Sequence, residues 1–421
     1  MTRFSRITHY VLILFLAGCS SLAPLLPTTT PVPASNATAT PQPTPTSTPV
    51  AQTTSPILRV WLPPQFDPDA GTQSADLFKS RLEEFENAHP GLKIEVRIKG
   101  SDDTDIVDYL SATGNAAHTI MPDLIALSYD QMQTAASIGL LHPLDGITDI
   151  LQDPDWYVFS RELSSVQNID YGIPFAVDAM VMVYRPAIFE TPPSDWDTVF
   201  SSGVQMTFAF DAQSYFPLSL YDSAKGQPAD EQGAFTLDES TLVRVLSLYQ
   251  RAYEANALLP SIKNVQSDMD ALNHYRNGEA SLAVVWVSSD IGAHSGSYTA
   301  LLGLDDAPYS IGNGWVWALA GTDTENQTLA AELASYLVES QYLSEWTYAS
   351  GYLPTRPLAL DGWGENTAMN SEIDSVLLSA HPGPLPEVVS MFGPIMQGAL
   401  TRVFNGEQAE VVARSVIEDL K

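Results

Sequence analysis

Carboxylates, amides and flat aromatic rings at the ends of apolar runs are the groups in this sequence best suited to chemistry on a polar guest. Asp178 follows the run Gly172 to Val177 and has apolar neighbours on both sides, so its burial is expected. A buried carboxylate is a strong acceptor for hydroxyl donors; its competing role is a structural hydrogen bond to a nearby backbone turn. Trp61 and Gln65 end the first apolar run, and Ser128 with Tyr129 end another. Core packing competes for Trp61 and helix capping for Ser128. Aromatic faces cover apolar C–H surface, while carboxylates and amides hold hydroxyls. Together these types do the chemistry of reversible recognition.

Signatures of covalent chemistry are missing. The sequence has no His-Glu-x-x-His, no Gly-x-Ser-x-Gly and no phosphate loop. Its seven histidines are scattered, and its one cysteine rules out thiolate-rich zinc sites and internal disulfides. No metal and no cofactor is expected. Asp67 to Gly71 faintly resembles a calcium loop without its spacing, and reads as a surface turn. Asp102, Asp103, Asp105 and Asp108 read as a solvated helix start. Two well-placed carboxylates suffice for a glycosidase, and 50 acids leave that alternative open; turnover of a glycoside would identify it. A purely structural adhesion lipoprotein is a second alternative, which predicts no small-molecule binding. The net charge of −31 repels nucleic acid and anionic headgroups and disfavours an anionic ligand.

The start of the chain reads as an address. Arg3 and Arg6 precede the apolar run Tyr10 to Leu16, too short to span a bilayer, and small residues lead to Cys19. Leu16-Ala17-Gly18-Cys19 resembles a bacterial lipobox, which implies a signal peptide over 1–18 and lipidation of Cys19. An ordinary signal peptide with an incidental cysteine is the plainer alternative. Acyl chains would supply about 0.8 kcal/mol of membrane affinity per buried CH₂. Residues 19–56 are rich in Pro, Thr, Ser and Ala and carry no charge, the composition of a disordered tether. Extended, it could reach on the order of 100 Å.

The rest must position the site. Ile57 to Leu62 reads as a strand, and Phe78, Leu82 and Phe85 recur at helical spacing until Pro90-Gly91. Leu92 to Ile98 alternates as a strand, with Ile94, Val96 and Ile98 on one face. A helix over Thr104 to Ala112, a strand over Asp123 to Leu127 and a helix over Tyr129 to Ser137 follow, the last stopped at Gly139. This β-α-β-α-β-α order predicts a parallel sheet with helices on both faces and ligands beyond the strand ends. Further on, Leu242, Leu246, Tyr249 and Tyr253 share a helical face, Ser281 to Val287 and Trp315 to Leu319 are apolar runs, and helices are expected near Leu329 to Leu337 and Gln408 to Leu420. There is no internal repeat.

Several phrases, in order, resemble the family 1 extracellular solute-binding proteins, the maltose-binding-protein-like receptors of ABC importers. They are Leu82 to Ile94 with its His89-Pro90-Gly91; Pro122 to Leu127, with Gly139-Leu140-Leu141-His142-Pro143-Leu144 after it; Tyr171 to Asp178, continuing to Val183-Tyr184-Arg185 and Pro192 to Asp197; Tyr275 to Leu282; and Gly351 to Arg356. Tyr184-Arg185 stands where the family usually has Tyr-Asn. The resemblance implies an α/β, two-lobed periplasmic-binding-protein-like fold (type II). Each lobe would be a central sheet flanked by helices, and hinge crossings would join them. The expected lobes are 57–175 with 306–345, and 176–305 with 346–421.

The resemblance also implies a role: a monomeric substrate-binding lipoprotein on the outer face of the membrane. It would hold a sugar or oligosaccharide between its lobes and deliver it to permease subunits, with no enzymatic step and no nucleic acid partner. The family's crossing strand brings Asp178 to the ligand, and its second-lobe loop corresponds to Gln213, Ser214 and Tyr215. Trp286 with Ser288 falls where the family commonly has an aromatic contact, and Asn313, Gly314 and Trp315 begin a return strand near the hinge, where the glycine is expected to allow close backbone approach to a ligand. Arg356 and Phe392 complete the expected set. Relatives also take polyamines, glycerol phosphates and metals; scarce Lys and Arg disfavour the phosphates.

Overall fold

A computed structural model describes residues 56–100, 104–116, 120–228, 235–321, 323–364 and 367–420. The signal segment, Cys19, the tether as far as residue 55, and Asp102 and Asp103 lie outside the described residues. The strands are β1 (Ile57–Leu62), β2 (Lys93–Ile98), β3 (Leu124–Ser128), β4 (Ser165–Val166), β5 (Ile169–Asp170), β6 (Gly172–Tyr184), β7 (Met206–Phe208), β8 (Leu282–Trp286), β9 (Ser297–Ala300), β10 (Ser310–Leu319) and β11 (Ala380–Pro382). They pair in the order β2-β1-β3-β10-β6-β8-β7, with β11 on β10 and β9 on β6, and β4 pairs β5 separately.

The first three strands follow the expected parallel pattern: β1 is parallel to β2 and to β3. The sheet as a whole is mixed, because β10 runs antiparallel to both β3 and β6. Sequence periodicity carried no sign of this, since β10 comes from far along the chain. Alternation then sorts side chains to two faces. Leu58, Val60, Leu124, Ala126, Trp317 and Leu319 share one core with Phe78, Leu82 and Phe85 of the helix Gln73–Ala88. Trp61, Ile125, Leu127, Val316 and Ala318 share the other with Ile106, Leu110 and Met132. Ile98, on the face of Ile94 and Val96, is 37% exposed because β2 is an edge strand. Tyr253 ends its helix 45% exposed, its ring stacked on Phe404.

Local signals set the helix ends. The Thr72 side chain accepts from Ala75 N at 3.2 Å, and the chain leaves that helix through His89, Pro90 and Gly91 at φ +92°. Asp105 caps the next helix, Ile106–Ala116, its carboxylate accepting from Val107 N at 2.7 Å. A third core, built on Val181, Val183, Phe208, Leu242, Leu246 and Tyr249, forms the second lobe.

The long strand β6 joins the lobes. Its 13 residues are buried apart from partly exposed Asp178. At 3.3 Å per residue they reach about 43 Å. From Gly172 to Ala179 it pairs with β10, and from Met180 to Tyr184 with β8 and β9. Asp178 stands where the partner changes, opposite Asn313 of β10.

Candidate functional site

A cleft of about 380 Å³ opens at that changeover. Ser128 at the end of β3 and Trp315 on β10 come from the first lobe. Tyr215, before the helix Phe216–Ser223, and Trp286, Ser288 and Ser289, after β8, come from the second. Asp178, Asn313 and Gly314 sit on the crossing strands between them, and Tyr352 closes the set. The expected residues Asp178, Ser128, Tyr215, Trp286, Ser288, Asn313, Gly314 and Trp315 are thus brought together.

Asp178 is the polar centre. Its Oδ1 accepts from Ala179 N at 2.9 Å and Ser288 N at 3.1 Å, and its Oδ2 accepts from the Ser288 hydroxyl. Oδ2 keeps acceptor capacity for a guest. Burial pushes the Asp178 carboxyl up to about 7, against the lowering effect of the Ser288 and Ala179 hydrogen bonds; Asp268 nearby adds to the rise. Asp268 is itself raised by burial and accepts from Trp286 N at 2.8 Å, which fixes the end of β8. The rings of Trp286 and Tyr215 meet edge to face, 5.5 Å between centroids. Among the described residues, no Lys or Arg lines the cleft. An uncharged polyol therefore fits better than an anion.

Ser128 begins the helix Tyr129–Ser137 and also borders the cleft. Its N–H bonds the Gln131 side chain at 3.0 Å and its hydroxyl donates to Asp130 at 2.6 Å, while the residue still borders the cleft. Gly314 borders the cleft, and packing also requires a glycine there. A Cβ there would lie 2.7 Å from Leu163 Cδ1 and 2.8 Å from Ala176 O, so packing between β10 and β6 demands it.

Other expected residues lie elsewhere. Trp61 is 1% exposed and points to the core face of β1, with Lys99 Nζ over its ring at 5.0 Å. Gln65 lines a neighbouring cavity. Tyr129 packs between two cores. Gln213 is exposed at a turn, where its N–H meets Asp211 at 2.7 Å, and Ser214 borders a narrow crevice beside Gly393. Arg356 is 5% exposed and bound to Asp153, Asp155 and the Val338 carbonyl, over the Trp156 ring. Phe392 is buried against Tyr221.

Tyr352 was missed as a site residue. Leu353 exchanges two backbone hydrogen bonds with Val177, 2.8 and 3.0 Å, which seats Tyr352 beside Asp178. The only sequence signal was an aromatic ring just before Leu353-Pro354. Among the described residues, no group of three or more His, Cys, Asp or Glu could hold a metal ion, and no helix is long and apolar enough to cross a membrane.

Two α/β lobes, two crossing strands and a polar cleft at the crossing define a two-lobed periplasmic solute-binding fold. Solved structures share it. The maltose-bound MalE3 of T. maritima aligns at 18% identity and TM-score 0.62, over 86% of this chain and 98% of that one. The sugar-binding protein MalE of Xanthomonas citri aligns at 15% and 0.68, over 86% and 96%. UgpB of Mycobacterium tuberculosis, in complex with glycerophosphocholine, aligns at 17% and 0.61, over 87% and 98%. No curated protein matches the chain in sequence. Residues 80–373 match the bacterial extracellular solute-binding protein family, and the chain belongs to it.

Proposed function

We propose that this chain is the sugar-binding receptor subunit of an ABC importer, held outside the cytoplasm by a lipid on Cys19 and the tether that follows. A neutral mono- or oligosaccharide sits in the cleft, hydroxyls on Asp178, Asn313 and Ser288, and C–H faces on Trp286, Trp315, Tyr215 and Tyr352. The observation that carries this reading is Asp178: a carboxylate with a free acceptor position, ringed by aromatic side chains, with no Lys or Arg among the described residues of the cleft. The neighbours that bind maltose and other sugars support the same ligand class. The lobes, taken as 57–175 with 306–345 and 176–305 with 346–421, close on the guest about the β6 and β10 crossings, and the monomer presents it to permease subunits unchanged.

A thermal-shift screen of the full chain against neutral sugars tests this, because a ligand that binds only the native form raises Tm. One sugar should raise Tm in the parent chain and leave Asp178→Ala unmoved. A shift with glycerophosphodiesters and none with any sugar would overturn the ligand class.

A further inference from the structure

A second cavity, about 400 Å³, opens between the segment 64–75 and the helix Ser340–Ser350. Aromatic rings wall it: Phe66, Phe78, Phe175, Trp317, Trp346 and Tyr352. Phe66 stands at its centre, 5.2 Å from Phe175, 5.8 Å from Trp346 and 5.9 Å from Tyr352, centroid to centroid. Among the described residues no Lys or Arg lines it, and Asp67 at its edge accepts from Asp69 N at 2.9 Å.

A concave, apolar space of this size with a few polar groups at its mouth has the form of a small-molecule site. Its position says what would fill it. Tyr352 lines both this cavity and the Asp178 cleft, and Phe66 meets the edge of the cleft's Trp315 at 5.0 Å. The two spaces therefore adjoin at Tyr352, which is a wall of both.

We propose that the cavity receives an uncharged aryl group carried by the sugar, so that the ligand is a glycoside with an aromatic aglycone. The proposal rests on the reading of the cleft as a sugar site. Absence of cations disfavours a carboxylated aglycone, and the aromatic walls favour a flat ring, which packs offset or edge-on against them.

Calorimetric titration of the full chain with 2-naphthol probes the cavity without the sugar. Saturable one-to-one binding is expected, kept in Asp178→Ala and lost in Ala349→Trp, whose partly exposed side chain would fill the cavity. Ala70→Trp, at the exposed opposite lip, gives the same result should Ala349→Trp fail to fold. With the sugar from the thermal screen, the phenyl glycoside should bind about tenfold tighter than the methyl glycoside. That gap should vanish in the filled variants. Absence of saturable naphthol binding, or binding undiminished by both fillers, overturns the proposal, as does equal affinity for the two glycosides. Naphthol binding that the fillers abolish, with no response to any sugar, would support the aryl site and contradict the sugar reading of the cleft.

Discussion

Replacing Asp178 by Asn should make the empty protein more stable and the loaded one weaker. Burial holds the Asp178 carboxyl at about 7 in the fold, against an ordinary value of 3.8. Between those values the unfolded chain is ionised while the folded one keeps its proton. Stability present in acid is therefore lost as pH climbs through the folded value, by about 4 kcal/mol in all. Asn keeps the shape and still accepts from Ala179 and Ser288 N–H through its oxygen, while its NH₂ can donate to the Ser288 hydroxyl. It cannot ionise, so that loss disappears. Measured by calorimetric unfolding, the stability advantage of Asp178→Asn should grow by about 3 kcal/mol between pH 5 and pH 8, roughly 4 °C in Tm for a chain of this size. Sugar affinity should fall by about 10- to 100-fold as a charged acceptor is lost. An advantage that stays constant with pH would refute the partly buried, ionising Asp178 on which the cleft is built.

Three further substitutions separate architecture from recognition. Arg356→Ala should cost about 3–5 kcal/mol by removing the counter-charge of nearly buried Asp155, which keeps the Ser340 hydroxyl and Leu358 N–H, lowering Tm while sugar affinity per folded molecule, read by titration, stays unchanged. Gly393→Ala would set a Cβ 1.7 Å from Ala212 O, in the loop that leads to Tyr215; about 1–3 kcal/mol of destabilisation by denaturant titration is expected, with weaker binding. Thr207→Val should raise stability by about 1 kcal/mol in the same titration, because the buried Thr207 hydroxyl has no partner among the described residues.

Much of the frame was legible because local rules and tertiary structure agree. Ile57–Leu62 is a strand with the bounds its apolar run suggests, and Pro90-Gly91 ends a helix where it should. The run around Asp178 read as a crossing strand through the family phrase, and β6 crosses. Choice of face was harder to read. Trp61 and Leu62 are equally apolar neighbours, and both turned out to be buried, on opposite faces, once β2 and β3 flanked β1. Arg356 looked free to reach a ligand because its partners, Asp153 and Asp155, lie some 200 residues earlier. Phe392 lies on a 19-residue helix with many apolar positions, and only packing against Tyr221 decides its direction. Tyr352 depends on the Leu353–Val177 bridge, a long-range pairing without a local signature.

A crystal structure of the full chain with the sugar that raises its Tm tests the central claim most directly. The account predicts an intact sugar in the cleft at the β6–β10 crossing, one hydroxyl donating to Asp178 Oδ2 and a ring face against Trp286 or Trp315. Sugar bound away from Asp178, or density for a cleaved product, would contradict it.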